Sequence, residues 1–531
     1  VYVFMRMKVS DYIARKLVDE GISDVFMVTG GGAMHLDDGL GHEPGLHCTF
    51  NHHEQACAIA AECYARIHNK IAAVCVTTGP GGTNAITGVV GGWLDSIPML
   101  ILSGQVRYDT TARSTGLGIR ALGDQEFEIT KAIDCMTKYC EMVIDPMRIR
   151  FCLEKALYLA QTGRPGPCWL DIPLNVQGAY VETEELLGFD KNDYEAGGTG
   201  WSVHGSGCDG CGLCAGKLIQ GKPAMIPEDE AGKGEKRELL PPSVSLDLAR
   251  EIVKKVREAK RPVINAGNGI RIGKAFDVFQ RVVEMLGIPV VTGWNSLDCM
   301  YDSHPLYVGR AGHMGDRPGN FAVQNCDLLL SLGRRLSIRQ VGYNYPTWAR
   351  EAYVIYNDID AEELKKPTVH VDMPVHADVK DLLEKMEMVL EVEAVSADGG
   401  PKDKEAVDWW ISRCQQWKEK YPVVLPKHYE AGEDQPANIY AAIKEISRRA
   451  EEDQITVVGN GSPCVVGGHA YEMKKGQRFI SNSAIASMGY DLPAAIGACL
   501  ADHTKDIILV TGDGSIQMNL QEMQTIIHNH L

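Results

Sequence analysis

Short apolar runs of strand length alternate with segments whose apolar residues recur at helical spacing, and the alternation restarts three times along the chain. In the first stretch, positions 24–29 predict a strand that runs into Gly30, Gly31 and Gly32. Positions 53–67 carry alanines and apolar residues at helical spacing, 71–78 form a β-rich run ending at Gly79, and 98–106 predict a further strand ending at Gly104 and Gln105. Strand, glycine loop, helix, strand is the order of a parallel sheet covered by helices, whose ligands sit at the carboxyl ends of the strands. A second unit predicts helices over 245–259 and 274–286 and strands over 261–266, 288–292, 327–332 and 353–360. A third predicts strands over 454–458, 478–482 and 506–510 and a helix over 492–500. The expected fold class is therefore α/β, with three doubly wound parallel-sheet domains at 7–180, 243–393 and 435–531. Residues 181–242 are rich in Gly, Glu and Lys with little periodicity and read as a linker or insertion, and 394–434 as a charged, partly helical connection. The third domain breaks off in a helix-like stretch and reads as incomplete.

Composition narrows the classes of function. At 531 residues the chain exceeds one ordinary domain, and 45% apolar residues supply a core for each unit. A net charge of −17 repels phosphate backbones and anionic lipid, so neither nucleic acid nor membrane is an expected partner. No apolar run approaches the roughly 18 residues that cross a bilayer, and the opening Val1 to Met5 is too short for a signal-peptide core. The 16 cysteines, several in apolar stretches such as Cys57, Cys63, Cys75 and Cys499, read as the reduced thiols of a cytoplasmic protein.

Three segments carry candidate chemistry. Gly512, Asp513, Gly514 and Ser515 directly follow an apolar strand. Glycine lets backbone approach phosphate oxygens and Asp513 offers an anionic oxygen to Mg²⁺, although Gly-Asp-Gly is also ordinary turn chemistry. His53, Glu54 and Gln55 open the alanine-rich helix, where Glu54 also suits the helix dipole as a purely structural residue. The zinc-helix pattern is absent, because Cys57 stands where a second histidine would be. Residues 77–84 (Thr77, Thr78, Gly79, Pro80, Gly81, Gly82, Thr83, Asn84) form a strand-to-helix loop that either cradles a polar ligand or is a plain glycine-rich turn.

Together and in this order, the segments resemble the thiamine-diphosphate (ThDP)-dependent 2-oxo acid enzymes of the acetolactate synthase large-subunit kind, over nearly the whole chain. Gly30 and Gly31 with Met34 are similar to the family's first glycine loop, His53, Glu54 and Gln55 to its catalytic-glutamate motif, and residues 78–84 to its pyrimidine loop. Residues 486–490 are similar to the segment that bends the cofactor, and 512–515 to the start of the diphosphate motif. The resemblance implies that Glu54 hydrogen-bonds N1′ of the aminopyrimidine in a largely apolar pocket, so that the 4′-nitrogen takes the C2 proton. Met488 would wedge beneath the bent cofactor, the carbonyl of Ala486 would accept from the 4′-amino group, and Gln105 and Gly31 would face the reacting centre. Gly30, Gly31, Thr78, Gly79 and Asn84 would border ThDP from the first domain. Asn460, Gly461, Ser462, Gly512, Gly514 and Ser515 would touch its diphosphate, and Asp513 would hold Mg²⁺. The two halves of each site would come from different subunits, so a homodimer or higher homo-oligomer is expected.

The middle unit resembles the family's flavin domain at 266–270, 309–320, 333–339 and 357–360. Arg335, Arg339 and Asp358 are its candidate flavin or substrate residues. Ser337 and Ile338 replace the acidic pair usual before Arg339, and Gly267, Gly269 and Gly273 miss the dinucleotide fingerprint by one position, which leaves FAD open. Cys208, Cys211 and Cys214, with His204 ahead of them, have the spacing of part of an iron–sulfur loop or a Cys₃His zinc site, or are free thiols of a loop. The implied function is ThDP-dependent decarboxylation of a 2-oxo acid, expected to be pyruvate, with transfer of the two-carbon unit to a second carbonyl compound. Alternatives are a simple 2-oxo acid decarboxylase and acetyl transfer to a larger keto acceptor. A non-catalytic homologue is opposed by the presence of Glu54, Gln105, Met488 and Asp513 together.

Overall fold

A computed structural model describes residues 5–202, 237–394, 400–430, 432 and 434–531. His204, Cys208, Cys211 and Cys214 lie outside the described residues. Among the described residues the chain builds three parallel sheets, of six, six and three strands. In the first, the strands lie in the order His47–Phe50, Asp24–Met27, Ala72–Val76, Met99–Gln105, Pro167–Pro173, Tyr139–Met142. Side chains alternate across a strand, and Met99–Gln105 shows why its sequence is continuously apolar: Leu100 and Leu102 enter one core, Met99 and Ile101 the core on the opposite face. Val181, Leu186, Phe189 and Tyr194 join the first of these cores. Intervening Gly and Glu hide any period there, so the start of the expected linker is in fact folded onto the first sheet.

The middle sheet runs Tyr307–Arg310, Val290–Thr292, Pro262–Ala266, Leu328–Leu332, Tyr353–Asp358, Met373–His376. The chain starts in the centre, steps outward to one edge, then crosses back to build the other half. A crevice therefore opens between the carboxyl ends of Pro262–Ala266 and Leu328–Leu332, the position at which doubly wound sheets bind ligands. The third sheet runs Arg478–Ile480, Ile455–Val458, Ile507–Val510. No helix among the described residues is long and apolar enough to cross a membrane.

The helix Glu54–His68 starts where His53 Nδ1 accepts from Gln55 N at 3.0 Å, which leaves Glu54 as its first residue. Its small residues let the helix Asp491–Ala501 approach to backbone contact: a Cβ on Gly497 would stand 2.1 Å from the Ala60 carbonyl oxygen. A buried polar network then ties the three domains together. Glu62 accepts from Arg66 Nε at 3.1 Å and from the Tyr490 hydroxyl at 2.9 Å. Arg66 Nη2 and Asn295 Nδ2 donate to Asp95 at 2.8 and 2.9 Å, and the Ser483 hydroxyl donates to Asn295 at 2.7 Å.

Candidate functional site

Loops at the carboxyl ends of the first sheet carry one half of the site. Asn84 Nδ2, on the helix Pro80–Asp95, donates to Glu54 Oε2 at 3.0 Å. Glu54 remains partly exposed, so this chain alone does not close the apolar pocket expected around it. The first glycine loop abuts the Thr77 and Thr78 turn, with Gly32 N donating to Thr77 Oγ1 at 3.1 Å and Gly30 N to Asp37 at 3.1 Å. Gly31 has open space where a Cβ would stand, and Gly79 turns into the helix Pro80–Asp95.

Gln105 is held from every side. Its Oε1 accepts from the Thr78 hydroxyl at 2.8 Å and from Val106 N at 3.0 Å, while Nε2 donates to Phe127 O at 2.9 Å and to Asp171 at 3.0 Å. Asp171, fully buried, also accepts from the Ser103 hydroxyl at 2.6 Å, and Trp169 Nε1 donates to that hydroxyl at 2.8 Å. Sequence reasoning missed Asp171 as the group that orients Gln105, although a carboxylate inside an apolar strand is itself a signal.

Burial pushes the Asp171 carboxyl up to about 7, with the Ser103 and Gln105 hydrogen bonds pulling it back. The folded chain keeps this proton to about pH 7, whereas the unfolded chain releases it near pH 4. This group therefore makes folding less favourable as pH rises through that interval, by at most about 4 kcal/mol. Asp171→Asn, which cannot ionise, is expected to lack this slope: its melting temperature gains on the parent between pH 4.5 and 7.5. Parallel melting profiles for the two proteins across that range would refute the assignment.

The third sheet supplies the other half. Asn460 Nδ2 donates to Asn482 Oδ1 at 2.6 Å and to Ser487 O at 2.7 Å, binding the turn that carries Gly461 and Ser462 to the 482–488 loop. Ala486 adopts φ +56°, a region uncommon for residues with a side chain. Gly489 N donates to Ser515 Oγ at 2.9 Å, and a Cβ on Gly514 would stand 3.1 Å from Met488 Cε. Met488 is 47% exposed, a large apolar side chain left standing beside the diphosphate-type loop. Asp513 is exposed at the start of Asp513–Met518, and Gly512 has no neighbour where a Cβ would be.

Among the described residues no hydrogen bond or ion pair joins Glu54 or Gln105 to Asp513. One link among the described residues is Glu522, another residue that sequence reasoning passed over. It accepts from Asn51 Nδ2 at 2.8 Å, His52 N at 2.9 Å and the Thr525 hydroxyl at 2.7 Å, so the loop leading to Glu54 rests on the segment that follows the Gly-Asp-Gly motif.

Arg335, Arg339 and Asp358 come together around a cavity of about 370 Å³ at the crevice of the middle sheet. Arg335 Nη1 donates to Leu94 O at 3.1 Å, and the Arg339 guanidinium lies 5.0 Å over the Trp294 ring. Burial raises the Asp358 carboxyl to about 6, against a hydrogen bond of 3.0 Å from Asp360 N. Arg164, from the first domain, also lines the cavity and is paired with Asp360 and Glu363 at 3.1 and 2.9 Å. Cations beside a carboxylate at strand ends form a donor set that fits a phosphate- and ribose-bearing ligand.

Comparison with known proteins agrees with this layout. Residues 7–127 match the family model for the thiamine pyrophosphate enzyme N-terminal TPP binding domain, 249–386 that for the central domain, and 459–531 that for the C-terminal TPP binding domain. The chain is 30% identical over 527 residues to the probable acetolactate synthase large subunit of Methanococcus aeolicus, covering 98% of this chain and 78% of that protein. It is 30% identical over 520 residues to the acetolactate synthase large subunit of Lactococcus lactis subsp. lactis (strain IL1403), covering 97% and 77%. With the acetolactate synthase isozyme 3 large subunit of Escherichia coli (strain K12) it shares 28% over 527 residues, covering 98% and 80%.

Proposed function

Because the chain belongs to the thiamine pyrophosphate enzymes, we propose that it is a ThDP-dependent transferase of the acetolactate synthase kind, decarboxylating pyruvate and passing the two-carbon unit to a second 2-oxo acid. The observation that carries this reading is the Glu54 carboxylate at a helix start, with one oxygen held by Asn84 at 3.0 Å. Its other oxygen is left to hydrogen-bond the pyrimidine nitrogen of the cofactor and share its proton. When bound, ThDP supplies a nucleophilic carbon for the donor carbonyl and a sink for the electron pair left by CO₂. Gln105, its amide fixed by Thr78 and Asp171, would form a rigid wall on the side of the reacting carbonyl. Met488 would support the cofactor and exclude water, Asn460, Gly461 and Ser462 with Gly512, Gly514 and Ser515 would hold the diphosphate, and Asp513 would offer its carboxylate to Mg²⁺.

The cavity bounded by Arg335, Arg339 and Asp358 would hold FAD. The transfer is redox-neutral, so a flavin there would carry no electrons in it. The exposure of Glu54 and Met488 in one chain supports a homodimer in which a second copy covers each half-site.

ThDP and Mg²⁺ binding by calorimetry, followed by pyruvate turnover with product identification, tests the proposal. Cofactor binding and formation of acetolactate are expected. Acetaldehyde as the sole product would replace the transferase by a simple decarboxylase, and failure to bind ThDP would overturn the reading altogether.

A further inference from the structure

The first glycine loop is anchored in part by an ionisable side chain that the mechanism leaves unused. Gly30, Gly31 and Gly32 leave the strand Asp24–Met27, and the chain then enters the helix Met34–His42. At the far end of the loop, Gly32 N donates to Thr77 Oγ1 at 3.1 Å and Gln177 Nε2 donates to Gly32 O at 2.8 Å. That end has no room to shift, because a Cβ on Gly104 would stand 2.1 Å from Gly32 O. At the near end, Gly30 N donates to Asp37 Oδ2 at 3.1 Å. Between the two anchors, Gly31 has open space where a Cβ would stand. Thr77 and Gln177 are neutral at any pH; Asp37 can change its charge.

The surroundings of this carboxyl do little to hold its charge. Oδ1 is buried and has no hydrogen-bond partner among the described residues. The titratable groups that face Asp37 from the neighbouring strands are the Cys48 and Cys75 thiols, both pushed up by burial first and by the Asp37 charge second. From the helix Val9–Asp19, Asp11 lies against Gly39, while Lys8, just ahead of that helix, is paired with Asp11 and Asp38. On the helix Met34–His42 itself, His42 meets Asp38 and His35 lies against Gly178. The short helix Leu174–Gln177 brings no charge. Among the described residues no ion pair reaches Asp37. Burial therefore outweighs the hydrogen bond from Gly30 and raises the carboxyl to about 6.

We propose that Asp37 is a positioning residue for the reaction: its carboxylate latches Gly30 and so fixes Gly31, and uptake of a proton loosens the latch. A hydrogen bond to an ionised acceptor is about twice as strong as one to a neutral acceptor, so the neutral acid holds the loop about tenfold less well. The folded chain loses this proton as pH rises through the raised value, so the latch is firm above that pH and weak below it. The proposal rests on reading the loop as a border of the ThDP site, and the test separates the two.

The kcat/KM for pyruvate is measured from pH 5 to pH 8 on the full chain and on Asp37→Asn at saturating ThDP and Mg²⁺, with calorimetric ThDP binding as the check that each is folded. The parent is expected to fall, with a midpoint near pH 6, toward about one tenth of its value at pH 8. Asp37→Asn keeps an acceptor for Gly30 N but cannot ionise, and is expected to lack this step and to stay near the parent's acid level throughout. Asp358 titrates in the same range, so the profile of the variant decides. The same step in Asp37→Asn, or activity equal to the parent's at pH 8, would overturn the role of Asp37 while leaving the ThDP site in place. A parent that binds ThDP but turns over no pyruvate would overturn the functional reading, and the role with it. If Asp37→Asn does not fold, Asp37→Glu carries the comparison. Its carboxyl stands one methylene further along the side chain, so the step is expected at a different pH, and an unmoved midpoint would refute the assignment.

Discussion

Glu54→Gln is expected to lower pyruvate turnover by about 10²- to 10⁴-fold while ThDP still binds. The amide matches the carboxylate in size, and its oxygen can still accept from Asn84 Nδ2, which now meets Glu54 Oε2 at 3.0 Å. What it loses is the capacity to take up and share a proton. Turnover and calorimetric ThDP affinity measured on the same preparation separate the alternatives. A large drop in turnover at constant affinity assigns proton handling to Glu54. A matching drop in affinity would make it chiefly a binding residue, and unchanged turnover would remove it from the mechanism.

Glu62→Ala is expected to destabilise the chain by about 3–5 kcal/mol, the largest loss expected from one side chain outside the catalytic loops. Glu62 is 1% exposed and receives Arg66 and the Tyr490 hydroxyl, so its removal leaves a buried guanidinium with Asp95 as its remaining anion. The network spans the first and third domains and reaches the middle one through Asn295. Urea midpoints followed by far-ultraviolet circular dichroism give the cost. Replacing Glu62 and Arg66 by Met and Asp95 by Asn, which removes the whole charged cluster, is expected to restore most of the stability, because well-packed apolar side chains can replace buried ion pairs with little loss. A triple variant no better than Glu62→Ala would show that packing, rather than the stranded charge, sets the cost.

The sheets were legible because strands buried on both faces are continuously apolar, as in Met99–Gln105, and because several run straight into glycine, as Pro262–Ala266 does at Gly267 and Leu328–Leu332 at Gly333. Boundaries moved by one residue where a side chain, not hydrophobicity, decides the start: Ser245 accepts from Leu248 N and opens Leu246–Glu258, as His53 does for Glu54–His68. Residues 186–201 were hidden, since Leu186, Phe189 and Tyr194 reach the core from irregular segments with no period to read. In the candidate site, the residues of strand-end motifs were legible one by one. Their partners were not: Asp171 lies 66 positions from Gln105, and Glu522 lies 471 from Asn51. Contacts across such separations leave no local pattern in a single sequence.

The contact between Ala60 and Gly497 limits where the molecule can adapt. Ala60 lies six residues beyond Glu54, about 9 Å along the helix, and its carbonyl meets the facing backbone with no side chain between them. Two helices touching in this way cannot slide by a fraction of a turn; rearrangement would require a step of one whole turn. Whatever adjustment a bound ligand demands of the Glu54 carboxylate must therefore come from its own rotamer and from residues 51–53, where Glu522 holds the loop by two hydrogen bonds. Compliance is confined to a hinge a few residues long, and the helix behind it acts as a fixed abutment.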